Sequence, residues 1–229
     1  MKYKAVIFDL FGTLVDNFTR QNNISLLTEM AVVLSLPKED FIKQWSDSFD
    51  LRATGTLATC EENIEYVSKK IGLPVENAAI KEAIRIRFKF TRRSLIPRIH
   101  SIEILSHLKK ENHKTGLISD CSVEVPAVWK GTPFANLIDV PVFSCEVGVK
   151  KPDPHIYYMI LEKLRVKPQD CLYIGDGSSR ELGDALQVGM YPVLIRVPYE
   201  TSEDSARIGE EDWEGTVISS LKEVIDLIE

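Results

Sequence analysis

Four short apolar runs, Ala5–Phe8, Thr115–Ile118, Cys171–Ile174 and Pro192–Ile195, constrain the fold of this sequence more than any other feature. Each has the length of a buried strand, and stretches with helical periodicity lie between them. Ile102, Ile104, Leu105 and Leu108 precede the second run in this way, and Ile156, Ile160, Leu161 and Leu164 precede the third. Alternating strands and helices imply βαβ units, and so an α/β fold with a parallel sheet and helices on both faces. Functional groups in such sheets sit beyond the carboxyl ends of the strands.

Between Phe8 and Thr115 there is no convincing strand. Helical periodicity recurs over 18–36, 38–51, 59–71 and 75–93, and a connection of that length is not a single crossover loop. The expected organisation is therefore a sheet domain made of 1–15 and 94–229, interrupted by an all-helical domain over 16–93. Pro97 breaks the chain where it returns to the sheet, and the polar stretch from Val197 to Gly215 reads as a surface loop. The 229 residues suffice for a full core, and no apolar run is long enough to span a bilayer. A net charge of −6 argues against nucleic-acid binding. The start passes directly into a strand-like run, unlike a signal peptide. Cys60, Cys121, Cys145 and Cys171 are far apart, which argues against a zinc site or disulfide scaffold and fits a reducing cytoplasm.

Chemistry-bearing residues collect at the strand tips. Asp9 ends the first run within FDLFGTLVD, where a second acid two residues on would be its natural partner; the chain instead has Phe11. Ser119 ends the second run and can donate to an anion, although a serine there alone reads as a helix N-cap. Lys151 stands in KKPDP, where proline restrains its backbone; by itself this is a helix start with Asp153 as cap. Asp176 follows the third run in GDGSSRE, with Glu181 five residues on, and acids so placed can hold a hard cation such as Mg²⁺. A carboxylate, a hydroxyl, a lysine and metal-binding acids in that order are what phosphoryl transfer through an aspartyl intermediate requires.

DLFGT, LIS, KKPDP and GDGSSRE together resemble the four motifs of the haloacid dehalogenase superfamily, a group of mostly Mg²⁺-dependent phosphohydrolases. The resemblance runs through the whole chain. It implies a Rossmann-like core with a mobile helical cap inserted between the first two motifs, and a small phosphorylated metabolite as substrate. Family roles then fall on Asp9 as nucleophile, Ser119 and Lys151 as phosphate ligands and Thr13 as a support for the first loop. The metal would be held by Asp9, Asp176 and the Phe11 carbonyl, with Glu181 supporting it. The cap loop RATGTLAT resembles the family's specificity loop, so that Arg52, Thr54 and Thr56 could meet a polar or anionic substrate group. The alternative is an ordinary helix–helix turn. Lys69-Lys70 and the run Arg85, Arg87, Lys89, Arg92, Arg93 read as a solvated or hinge surface.

Phe11 replaces the family's general acid, whose contribution is on the order of 10²–10⁴-fold. Three readings follow. The protein is a phosphatase with a good leaving group or a borrowed acid, Asp16 or Asp120; or a 2-haloacid dehalogenase, whose branch carries an aromatic residue there; or a protein that binds a phosphorylated ligand without turnover. The Ser119-Asp120 pair and the retained Gly175-Asp176 weigh against the dehalogenase.

Overall fold

The computed structural model describes residues 2–17, 19–200 and 212–229. Six strands, β1 (Ala5–Phe8), β2 (Lys114–Ser119), β3 (Val140–Phe143), β4 (Cys171–Gly175), β5 (Tyr191–Ile195) and β6 (Val217–Ile218), form one sheet in the order β3-β2-β1-β4-β5-β6. Every neighbouring pair is parallel. β1 lies between β2 and β4, and Phe8 is in register with Leu117 on one side and Ile174 on the other. The residues that follow these three positions therefore emerge from neighbouring tips.

Around the sheet lie α6 (Ser101–Lys110), α7 (Glu124–Trp129), α8 (Ser144–Val147), α9 (Pro154–Leu164), α10 (Glu181–Val188) and α11 (Val224–Ile228), while α1 (Arg20–Val33), α2 (Lys38–Asp47), α3 (Phe49–Ala53), α4 (Cys60–Ile71) and α5 (Asn77–Ser94) lie between β1 and β2. Strand periodicity divides the core into two layers. Val6 and Phe8 pack with Ile104, Leu105, Leu108 and Val224 on one face. Ala5 and Ile7 pack with Ile156, Ile160, Leu161 and Leu182 on the other. Both faces are buried, so the strands read as continuous apolar runs rather than alternating ones.

The inserted helices enclose a third apolar cluster, which includes Leu27, Met30, Phe41, Trp45, Ile64, Val67 and Ile80. Their ends follow local chemistry. α4 opens on a capping box, with Glu62 N donating to Thr59 Oγ1 at 3.0 Å and Thr59 N donating to Glu62 Oε2 at 3.2 Å, and it closes on Gly72 at φ 84°. The helix expected over 38–51 breaks at Ser48, whose hydroxyl donates to the Trp45 carbonyl at 3.0 Å. α1 stops before Ser35, which takes a left-handed φ of 56°.

β3 and β6 were not among the expected strands, and both are sheet edges. Pro141 interrupts the VPVF run, and proline in a sheet is confined to edges because it lacks a donor. β6 has two residues, too few for a periodic signal. Of the expected loop from Val197 to Gly215, residues 201–211 lie outside the described residues.

Candidate active site

The outgoing and returning connections of the insertion run side by side. Val15 bridges to Pro97, Arg98 N donates to the Leu14 carbonyl at 2.9 Å, and Ser101 Oγ donates to the same carbonyl at 2.6 Å. The buried Arg98 guanidinium then reaches the first loop, donating to the Gly12 carbonyl at 2.7 Å and to Asp16 Oδ1 at 2.8 Å, and it also pairs with Glu200. Gly12 itself has φ 81°, and a Cβ there would run into the Asp176 carboxylate. The loop after β1 thus lies against the loop after β4.

Within this frame the tips converge. Lys151 is buried, and its Nζ donates to Asp9 Oδ1 and Glu181 Oε2, each at 2.6 Å. Glu181 Oε2 also accepts from Tyr173 OH at 2.8 Å, and Oε1 accepts from Gly177 N at 3.0 Å. Asp176 Oδ1 accepts from Ser178 N at 3.0 Å, Oδ2 faces Asn17 Nδ2 at 3.4 Å, and its carbonyl accepts from Arg196. Carboxylate oxygens of Asp9, Asp176 and Glu181 lie within 4.8 Å of one another.

The single ammonium is outnumbered by acids, and the charges respond accordingly. Burial pushes the Asp9 carboxyl up to about 6, against Lys151 and with help from Asp176. Burial likewise raises Glu181 to about 8, against Lys151 and reinforced by Asp9 and Asp176. Burial would lower Lys151, yet Asp9, Glu181 and Asp120 together hold its ammonium well above the ordinary lysine value. A site of buried carboxylates short of positive charge, with oxygen donors only, has the chemistry of a hard divalent cation site. Two buried hydroxyls, Thr13 Oγ1 and Ser119 Oγ, have no hydrogen-bond partner of normal geometry among the described residues. Buried donors are ordinarily paired, so this pair is suited to an anion.

The local alternatives resolve residue by residue. Ser119 is the last residue of β2 and does not cap a helix, since α7 begins only at Glu124. In KKPDP, Asp153 does cap α9, accepting from His155 N at 2.9 Å, while Lys151 two residues earlier turns inward. Phe11 is half-buried, its ring against the apolar cluster on the Phe8 face of the sheet.

The candidate residues of the cap loop are engaged within the insertion. Arg52 is buried: its Nη1 donates to Ser48 Oγ at 2.7 Å and to the Trp45 carbonyl, and the guanidinium lies over the Trp45 ring at 4.4 Å. An arginine stem and plane pack readily on an aromatic face. Burial and the neighbouring Arg87 lower its pKa to about 9. The Thr54 hydroxyl donates to the Asp50 carbonyl at 2.7 Å and shares a 3.2 Å hydrogen bond with Thr56. This loop also brings Gly55, at φ 69°, against α8, so close to the Cys145 carbonyl that a Cβ would overlap it. Within the basic run, Arg87 is the exception to a solvated face, since its Nε pairs with buried Glu124 Oε1 at 2.6 Å.

Asn17, Arg98, Tyr173 and Arg196 escaped the sequence reading as site residues. Asp120, the neighbour of Ser119 at a strand tip, stands in that reading as a candidate borrowed acid.

A parallel sheet with a carboxylate at its central tip, an ammonium and further acids from neighbouring tips, and a helical insertion after the first strand defines a Rossmann-like enzyme class built for chemistry on an anion. Residues 3–182 match the haloacid dehalogenase-like hydrolases, and the chain belongs to that family. A glyceraldehyde 3-phosphate phosphatase of Methanopyrus kandleri is 23% identical over 231 residues, covering 98% of this chain and 97% of that protein. The rhythmically expressed gene 2 protein of Drosophila melanogaster is 32% identical over 102 residues, a match spanning 42% of this chain and 39% of that one. Among solved structures, a HAD family enzyme of Bacteroides thetaiotaomicron in complex with magnesium and inorganic phosphate superposes with a TM-score of 0.66 at 18% identity, covering 87% of this chain and 98% of that one. No helix among the described residues is long and apolar enough to cross a membrane.

Proposed function

We propose that this hydrolase is a Mg²⁺-dependent phosphatase of a small phosphorylated metabolite, acting through an aspartyl-phosphate on Asp9. The observation that carries this reading is the pairing of two unlike deficits at one set of strand tips: acids short of positive charge, and buried hydroxyls short of an acceptor. A phosphate monoester with a divalent cation meets both.

Asp9, Asp176 and the Phe11 carbonyl would hold Mg²⁺, with Glu181 fixed behind them by Lys151, Tyr173 and Gly177. The bound cation would offset the repulsion between the attacking carboxylate and the phosphate. Lys151 and Ser119 orient the non-bridging oxygens and oppose the charge that develops there. The Asp9 carboxylate forms a bond to phosphorus as the bond to the leaving oxygen breaks, and water later releases phosphate from Asp9. Thr13 and the Arg98 contact to Gly12 steady the loop that aims Asp9. The acid cluster favours this reading over displacement of halide, which needs no cation. Glyceraldehyde 3-phosphate is the first metabolite to test, given the names of the archaeal relatives.

Release of p-nitrophenol from p-nitrophenyl phosphate is expected to require Mg²⁺, to stop in EDTA and to be abolished in Asp9→Asn. Full activity in folded Asp9→Asn would exclude the covalent mechanism.

A further inference from the structure

Phe11 leaves the proposed reaction without a proton donor for the leaving oxygen. Two acids near the tips are candidates, and the structure separates them. Asp16 is committed elsewhere: its Oδ1 accepts from Arg98 Nε at 2.8 Å and from Tyr199 OH at 3.0 Å, and its side chain is 59% exposed. Asp120 is placed differently. Its Oδ1 accepts from Lys151 N at 3.0 Å, while its Oδ2 is out of contact with solvent and has no hydrogen-bond partner among the described residues.

We propose that Asp120 is the general acid–base of this enzyme, replacing the group that Phe11 displaces, an inference that rests on the phosphatase reading above. In-line attack by Asp9 puts the leaving oxygen on the side of phosphorus opposite Asp9. Asp120 is the acid beside Ser119 and Lys151, and its buried Oδ2 is unpartnered among the described residues. It follows Ser119 at the β2 tip, and the charges that act on it are Lys151, Lys150 and Asp50, the last on α3 of the insertion and paired with Lys150 at 3.3 Å. Burial is the largest influence on its carboxyl and raises it above the ordinary aspartate value despite both lysines, which favours the protonated form that a donor needs. As the phosphorus–oxygen bond breaks, the Asp120 proton passes to the leaving oxygen and releases an alcohol. The resulting carboxylate then takes a proton from the water that attacks the aspartyl-phosphate, so that phosphate leaves and both acids return to their starting states.

The test compares p-nitrophenyl phosphate, whose leaving group needs little protonation, with propyl phosphate, whose leaving group needs a proton. Asp120→Asn should lower kcat for propyl phosphate by about 10²–10⁴-fold and for p-nitrophenyl phosphate by less than about 10-fold. Phe11→Asp introduced into Asp120→Asn should restore propyl phosphate turnover selectively, while Asp16→Asn should leave the ratio of the two rates unchanged. Equal losses on both esters in Asp120→Asn, no loss at all, or a wild type active only on the aryl ester would each overturn the assignment to Asp120 and leave the phosphatase reading standing. Wild-type turnover of neither ester would instead overturn the phosphatase reading.

Discussion

At the scale of the residue, the site depends on close approach as much as on charge. Gly12 is the clearest case, because its left-handed backbone lets the loop after β1 press against the Asp176 carboxylate. Gly12→Ala would add roughly 1–2 kcal/mol of backbone strain and would push Asp176 away from Asp9. We expect it to remove most activity and to weaken cation binding while the chain still folds. The measurement is the thermal midpoint with and without Mg²⁺. Wild type should gain about 2.7 kcal/mol at a hundredfold excess over Kd, and the variant should gain less. An unchanged gain would mean that the loop adjusts without moving Asp176. Gly175 has a matching role, since a Cβ there would meet the Glu181 carboxylate.

At the scale of the element, the helices on the Ile7 face set how firmly the tips are held. α9 packs so closely on β2 that a Cβ on Gly116 would lie 2.7 Å from Ile160 Cδ1, 3.0 Å from Leu164 Cδ1 and 3.2 Å from Ile7 Cγ1. These atoms belong to a fully buried layer with little room to shift. Gly116→Ala is therefore expected to destabilise by about 1–3 kcal/mol through overpacking, as measured by urea denaturation. A neutral or stabilising result would show that the layer has slack. Ser119, three residues further along the same strand, makes activity a second readout of the same displacement.

At the scale of the whole molecule, one buried ion pair ties the inserted helices to the sheet. Glu124 at the start of α7 is 1% exposed and pairs with Arg87 of α5. Burial would raise the Glu124 carboxyl, but Arg87 and a hydrogen bond from Ser122 outweigh it and hold the pKa below the usual glutamate value. A carboxyl whose pKa is lower folded than unfolded contributes stability above its unfolded value, and that contribution is lost as pH falls through the folded value. Arg87→Met would strand the carboxylate, and breaking such a pair costs about 3–5 kcal/mol. The loss should be largest near pH 7 and shrink toward pH 4, where protonation of Glu124 relieves it. Glu124→Gln should flatten the acid limb of the stability profile. Equal losses for Arg87→Met at both pH values would show that Glu124 is not the group left unpaired.

The sequence alone determined the four long-signal strands, the parallel sheet and the helical insertion, because burial on both faces and the helical period are written locally in residue type and spacing. It also marked Asp9, Ser119, Lys151, Asp176 and Glu181, which lie in four short motifs at or beyond the strand ends. Only the tertiary structure decided which partners they take. That Lys151 bridges Asp9 and Glu181, that Arg98 grips the Gly12 loop and that Arg87 rather than Arg52 crosses to the sheet are contacts between residues far apart in the chain. Arg52 and Arg87 look alike as letters in a polar helix; what separates them is the face each presents once Trp45 and Glu124 are packed beside them. Asp16 and Asp120 were equal candidates in the sequence, and the difference between a carboxylate taken up by Arg98 and one with a free buried oxygen exists only after folding. Local pattern records burial and backbone conformation, whereas the pairing of charges is settled by distance through space.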